Sequence, residues 1–359
     1  MKDSFNHIFK NIVFAIIPLL LIVIFVELAG RIYYFNYMAD ETFAVQPIYK
    51  KLKRTFILYK SQSVVSELED IKIPQELLFT KQGDRLLKDL KDKYEKYFRE
   101  LKEQVDNIDA KFVVLYIQSD DYSGEHKKRG TVCRNFYQKL AEKYHVDFID
   151  LTSKFSKYDI KTVTLLPENG HLSRFGNILV ADKLQEYLDS HRSYHSDHTY
   201  KNPPKLLGDL KPNQNRAWTI VDIMPYNVIT NSQGLRMSHD LTFPKQKRRV
   251  LILGDSYTFG PYLGNHNTFP GLLAKKINDM EIINAGVAGY TIPMELDLFK
   301  KRAKYVNPDF VILQVLDNDI YGLTTYKMNQ YDRAGKVYNL SEVEIELLEA
   351  ISKEDKSNE

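Results

Sequence analysis

Apolar and polar residues follow two regimes along this chain. Short apolar runs that stop at small polar residues mark buried strands, and longer stretches with apolar residues every third or fourth position mark amphipathic helices. Phe112-Val113-Val114-Leu115-Tyr116-Ile117, Val146 to Leu151, Val250-Leu251-Ile252-Leu253, Ile282-Ile283-Asn284 and Phe310 to Val315 read as strands. Helices are predicted where Leu86, Leu90, Tyr94, Tyr97, Leu101 and Val105 paint one face, over Asn135 to Tyr144, and where Ile178, Ala181, Leu184 and Leu188 recur. Further helices are predicted over Phe269 to Ile277, over Pro293 to Lys304 and around Glu342 to Ile351. Strands alternating with helices in this way predict an α/β fold.

Two stretches break the alternation. Leu165 to Gly176 reads as a polar loop holding His171, just before a helix. Ser190 to Gln214 holds Pro203-Pro204, Pro212 and several Asn without periodicity, and reads as a linker or irregular excursion. Asp40 to Thr80 shows little beyond a basic stretch at Lys50 to Arg54 and a short apolar run at Phe56 to Tyr59.

The start of the chain has its own pattern. Asn11 to Gly30 is nearly all apolar, interrupted only by Pro18 and Glu27, and its length of about 20 residues suits a bilayer-spanning helix. The rival is a cleaved signal peptide, whose apolar region usually runs about 7–15 residues before a small-residue cleavage site. Ala29-Gly30 offers a weak site, and Arg31-Ile32-Tyr33-Tyr34-Phe35 reads as an interfacial belt of aromatics with a cation. An uncleaved anchor is therefore expected. Lys2 and Lys10 precede the span and Arg31 is the only base soon after it, which puts the N-terminus in the cytoplasm and the bulk outside. The expected plan is a cytoplasmic stretch at 1–10, a transmembrane anchor at 11–30 and a juxtamembrane segment at 31–78, then one half-domain at 79–190, a linker at 191–248 and a second half-domain at 249–359. The expected location is a bacterial inner (cytoplasmic) membrane, crossed once, with the bulk of the chain on the periplasmic or extracytoplasmic side.

Composition narrows the function. The 359 residues carry a formal net charge of +3 and are 43% hydrophobic, enough apolar surface for a core. No basic stripe with interleaved aromatics is present, so no nucleic-acid partner is expected. Cys133 is the one cysteine, which excludes an intrachain disulfide and a thiolate metal cage. His191, His195 and His198 with Asp197 lie in the unperiodic linker, where solvated side chains are a better reading than a metal site. No metal and no cofactor is expected.

Chemistry gathers at the strand ends. Gly254-Asp255-Ser256 follows the run Val250 to Leu253, at the place where open α/β sheets put their ligands. A serine hydroxyl acting as nucleophile needs a base, and His171 is the candidate. An oxyanion needs donors, and the candidates are the N–H groups of Ser256 and Gly289 and the side-chain amide of Asn318. Glycine at the second position lets the backbone approach a substrate closely. A rival reading, phosphate binding at Ala285 to Gly289, lacks the Lys that a phosphate loop places after its glycines.

Gly254-Asp255-Ser256, Asn284-x-Gly286-x-x-Gly289, Asn318-Asp319 and His171-Leu172-Ser173 resemble the four signature blocks of the SGNH (GDSL-type) hydrolases. The approach Asn231-Ser232-Gln233-Gly234-Leu235-Arg236 is similar to membrane-anchored members. The resemblance implies a flavodoxin-like three-layer α/β/α sandwich with a five-stranded parallel sheet. It implies Ser256 as nucleophile, His171 as base, and Gly289 and Asn318 in the oxyanion hole. Three departures stand out. The histidine half precedes the serine half, opposite to the family order, and this reads as a circular permutation, with half-domains pairing between two chains as the rival. The family also places an aspartate two or three residues before the histidine, where this chain has Glu168 and Asn169. Glu168 can orient the ring and offset its charge, Asn169 can only orient it, and a backbone carbonyl is a third option. The glycine of the third block is replaced by Leu316. The expected function is a membrane-anchored serine esterase or O-acyltransferase acting on ester-bearing envelope glycans or lipids. The alternative is a catalytically inactive relative that binds a glycan or protein partner.

Overall fold

A computed structural model describes residues 83–118, 124–165, 169–218 and 226–325. The apolar span 11–30, the juxtamembrane segment 31–78 and the expected helix at Glu342 to Ile351 lie outside the described residues. Among the described residues, no helix is long and apolar enough to cross a membrane.

In chain order the strands are β1 (Lys111–Ile117), β2 (Asp147–Asp150), β3 (Thr164–Leu165), β4 (Asn169–Leu172), β5 (Asn215–Trp218), β6 (Tyr226–Ile229), β7 (Arg248–Leu253), β8 (Met280–Asn284) and β9 (Phe310–Leu316). The α-helices are α1 (Asp84–Asp106), α2 (Gly124–Lys143), the single turns α3 (Thr152–Phe155) and α4 (Ile160–Val163), α5 (Arg174–Ser190), α6 (Ser256–Phe259), α7 (Phe269–Lys276), α8 (Ile292–Lys301) and α9 (Asp319–Thr325).

Five strands form one sheet in the order β2-β1-β9-β7-β8, and every pairing in it is parallel. Counted from the serine-bearing β7, the strands run β7, β8, β9, β1, β2 and stand in the order 2-1-3-4-5, the flavodoxin-like order. The two sequence halves meet at β1 and β9, paired in unbroken register from Lys111 with Phe310 to Ile117 with Leu316.

Side chains alternate across the strands, so each face of the sheet gathers its own core. Phe112, Val114, Tyr116, Leu251, Leu253, Val311, Leu313 and Val315 pack with α1, α2 and α8 on one face. Val113, Leu115, Ile117, Val250, Ile252, Phe310 and Ile312 pack with α5 and α7 on the other. The result is three layers, α/β/α.

The helix over Leu86 to Val105 forms as its period predicts, with one change of register. Phe98 is buried in place of Tyr97, which is only partly covered. Steps of four then three from Tyr94 to Leu101 through Phe98 hold the stripe as well as three then four, and the ring of Phe98 packs 5.4 Å from that of Phe112 on β1.

Residues 191–214 carry no helix or strand, yet they are fastened to the core. The buried Ser196 donates its N–H to Asp309 at 2.9 Å and its hydroxyl to the Ile108 carbonyl at 2.8 Å. Leu207 and Leu210 of this stretch, and beyond it the antiparallel pair β5–β6 with Val228, Leu235 and Met237, extend the first core. The sequence pattern does not predict this pair, because the flanking Pro and Asn residues hide two strands of only four residues each.

Candidate active site

The serine stands on a turn that its neighbours hold tightly. β7 stops at Gly254, whose φ is +153°. A Cβ there would come within 2.3 Å of the Thr258 Oγ1 and 2.7 Å of the Gln314 Oε1, so only glycine lets the strand end beside its own helix. Asp255 caps that helix, accepting the Tyr257 N–H at 2.9 Å. Gln314 Oε1 accepts from the Thr258 N–H at 3.2 Å and the Thr258 hydroxyl at 2.9 Å. From the other side, Asn284 donates its amide to the Thr258 carbonyl at 3.0 Å. Ser256, first residue of α6, is thus braced from β8 and from β9.

The histidine arrives on a small hairpin, not on the polar loop that the sequence predicts over Leu165 to Gly176. Thr164 pairs with Leu172 and Leu165 with Asn169, and α5 begins at Arg174. Two-residue β3 is too short to leave a periodic signal. Ser173 caps α5 by accepting the Gly176 N–H at 3.1 Å, and its own hydroxyl donates to the Thr162 carbonyl at 2.7 Å. The Tyr257 hydroxyl donates to the Gly170 carbonyl at 2.5 Å, tying the hairpin to the serine turn. The buried Asn177 of α5 accepts the Phe269 N–H at 2.8 Å and ties α5 to α7.

These supports bring His171 Nε2 to 2.8 Å from Ser256 Oγ. The ring lies beside Tyr257 and Tyr262, with centroids at 5.3 and 5.9 Å. Burial pushes the His171 pKa down to about 4, so the ring is neutral at pH 7 and Nε2 can take a proton from the hydroxyl. Glu168 falls outside the described residues, and Asn169 is the first residue of β4.

Gly289 and Asn318 stand past the ends of β8 and β9, the strands on either side of β7. Gly289 has φ +80°, and a Cβ there would meet nothing within 4 Å. It is exposed, so its conformation rather than its surroundings calls for glycine. Asn318 is also exposed, and the turn that carries it is closed by Asp319, whose carboxylate accepts the Leu316 N–H at 2.8 Å. Leu316 itself is buried in the second core. The departure from glycine still leaves Asn318 just past the end of β9.

Acidic groups lie buried behind the serine. Asp255, Glu295 and Asp319 are all enclosed. Burial raises the pKa of each, and the charge of Asp255 pushes the other two up further. The linker histidines are engaged one by one. His191 Nδ1 is 2.9 Å from the Tyr187 carbonyl, His195 Nδ1 is 2.9 Å from Asp309, and the His198 ring packs on Tyr200 at 4.6 Å. Among the described residues, no group of His, Cys, Asp or Glu is arranged to hold a metal ion.

The sequence pattern singled out Ser256, His171, Gly289 and Asn318, and missed Tyr257 and Gln314. Gln314 did leave a signal, as the one polar residue within the apolar run Phe310 to Leu316. Tyr257 left none, because its partner is a backbone carbonyl far away in sequence.

No protein-family profile and no curated protein sequence matches the chain. The chain is similar to several solved structures, among them these three. The O-acetyltransferase domain of Pseudomonas putida AlgJ is 15% identical with a TM-score of 0.41, over 74% of this chain and 92% of that one. Pseudomonas aeruginosa AlgX is 14% identical with a TM-score of 0.37, over 65% of this chain and 59% of that one. Bacillus cereus PatB1 is 11% identical with a TM-score of 0.35, over 65% of this chain and 90% of that one.

Proposed function

We propose that this chain is a serine esterase or O-acyltransferase that works through an acyl-enzyme. The observation that carries the reading is the 2.8 Å approach of His171 Nε2 to Ser256 Oγ. Ser256 attacks the carbonyl of an ester as His171 takes the hydroxyl proton. The N–H of Gly289 and the amide of Asn318 steady the oxyanion that forms, together with the Ser256 N–H. The protonated imidazole passes its proton to the departing alkoxide, leaving the acyl group on Ser256. A water or an acceptor hydroxyl then gives its proton to His171 as it takes the acyl group, and His171 returns that proton to the departing Ser256 oxygen, which restores the free serine and the neutral ring. Glu168 is the candidate to orient the ring and offset its charge.

The substrate we propose is an O-acyl ester of an envelope glycan, or a lipid ester. The apolar span 11–30 supports an uncleaved anchor, with Lys2 and Lys10 on the cytoplasmic side. The strand order counted from β7 supports reading the chain as a circular permutation of the SGNH arrangement, its old ends joined through residues 191–248.

The test is labelling of the full chain with a fluorophosphonate probe, alongside hydrolysis of an activated ester. Wild type is expected to label and Ser256→Ala to lose both signals. Equal labelling of the mutant excludes Ser256 as nucleophile. A wild-type chain inert to the probe and to every activated ester supports the binding-domain alternative.

A further inference from the structure

Arg236 is 3% exposed, although it carries a charge that burial makes costly. Among the described residues no carboxylate pairs with it. Its guanidinium is spent on neutral acceptors of one turn. It donates to the carbonyls of Phe259 and Gly260 through one nitrogen, at 2.8 Å for Gly260. It reaches the Leu263 carbonyl at 2.5 Å and the Asn265 side-chain oxygen at 3.1 Å. Its Cζ lies 4.4 Å from the centroid of the Phe259 ring and 5.9 Å from that of Tyr226. Asn265 is itself held, donating to the Ile229 carbonyl at 2.7 Å. The Arg236 N–H, for its part, donates to the Asn284 carbonyl at the end of β8.

The turn so gripped runs from the last residue of the serine helix to Asn265. At its tip Tyr262 has φ +68°, a conformation that a bulky side chain adopts only when its surroundings impose it. The Tyr262 ring meets His171 edge-on at 5.9 Å and packs on Tyr226 at 5.6 Å. A planar fork that reaches several carbonyls at once can fix such a turn, and an ammonium cannot.

We infer that Arg236 is a positioning residue of the acyl-transfer site, holding the 259–265 turn so that Tyr262 walls off His171 and the far end of the Ser256 helix stays in place. This rests on the reading of Ser256 and His171 as nucleophile and base. Arg236 touches neither of them; it acts through Tyr262 and α6.

The test uses full-length wild type, Arg236→Lys and Tyr262→Leu. Lysine keeps the charge and removes the fork. Among the described residues, Ser256, Tyr257 and Tyr262 face His171, and lysine keeps the cation of Arg236, so a change on Arg236→Lys reports the wall and not a lost charge. Two signals are read on folded protein, namely the His171 titration followed by NMR and the rate of Ser256 labelling by the fluorophosphonate. In Arg236→Lys the His171 pKa is expected to climb from about 4 toward its ordinary value as water reaches the ring, and labelling to slow about tenfold or more. Tyr262→Leu, which leaves every Arg236 bond in place, is expected to move both signals the same way, and it carries the test if Arg236→Lys does not fold. A folded Arg236→Lys with wild-type titration and wild-type labelling overturns the inference, as does a Tyr262→Leu protein with both signals unmoved. Failure of wild type to label at Ser256 overturns the acyl-transfer reading instead, and the titration still decides the role of Arg236.

Discussion

His171 is a base because of where it is kept. Burial takes its pKa down to about 4, which secures the neutral ring at neutral pH and limits its proton affinity. The pH profile of kcat/KM is therefore expected to rise at an apparent pKa well below the ordinary histidine value of about 6.5, and a rising limb at 6.5 or above contradicts the enclosed ring. His171→Ala is expected to lower kcat by about 10²–10⁴-fold, the span that general acid–base catalysis contributes. Thermal stability is a poorer readout of the same group. A histidine whose folded pKa is depressed adds stability that is complete above its unfolded pKa and is lost as pH falls from about 6.5 toward about 4. The raised pKa values of Glu295 and Asp319 work in the opposite sense, since their contribution is complete below the unfolded carboxylate range and is lost as pH rises. The two trends overlap in a melting curve, whereas only the histidine touches the reacting hydroxyl.

At the scale of elements, the site depends on how the histidine hairpin is tied to the serine helix. The Tyr257 hydroxyl on the Gly170 carbonyl is a direct bond between them. Tyr257→Phe keeps the ring beside His171 and removes that bond. Its loss is expected to cost about 1 kcal/mol of stability, or about 2–4 °C in Tm for a domain of this size. It is expected to lower kcat about tenfold with KM little changed, because the hairpin gains freedom to carry Nε2 away from Ser256 Oγ. A Tm loss with unchanged kcat places the tether in folding only. This tie also shows which elements the sequence could reveal. Val250 to Leu253 and Phe310 to Val315 announce themselves as strands because both of their faces are buried, and the serine and asparagine that follow are legible as strand tips. The β3–β4 and β5–β6 pairs stay hidden because they run for two to four residues and are stabilised by bonds to distant segments. Ser196 on Asp309 likewise fastens a stretch whose composition reads as a loose linker.

At the scale of the whole molecule, the order of the halves is reconciled by one parallel ladder. The histidine half brings β1 and the serine half brings β9, and these two central strands are buried on both faces of the sheet. Separated, each half would leave such a strand with a bare edge and half its backbone groups unpaired, at a cost neither small core can absorb. The two halves are therefore expected to unfold together, in one transition seen alike by far-UV circular dichroism and tyrosine fluorescence. Leu313 on β9 packs in the first core and Leu115 on β1 in the second, both fully buried. Leu313→Ala and Leu115→Ala are each expected to cost about 2–5 kcal/mol and to lower that single midpoint, although one change lies in each half of the sequence. Two resolved transitions, with either substitution moving only its own, would show that the halves are separate folding units. In that case the 2.8 Å approach of His171 to Ser256 would depend on docking between them and not on a shared sheet.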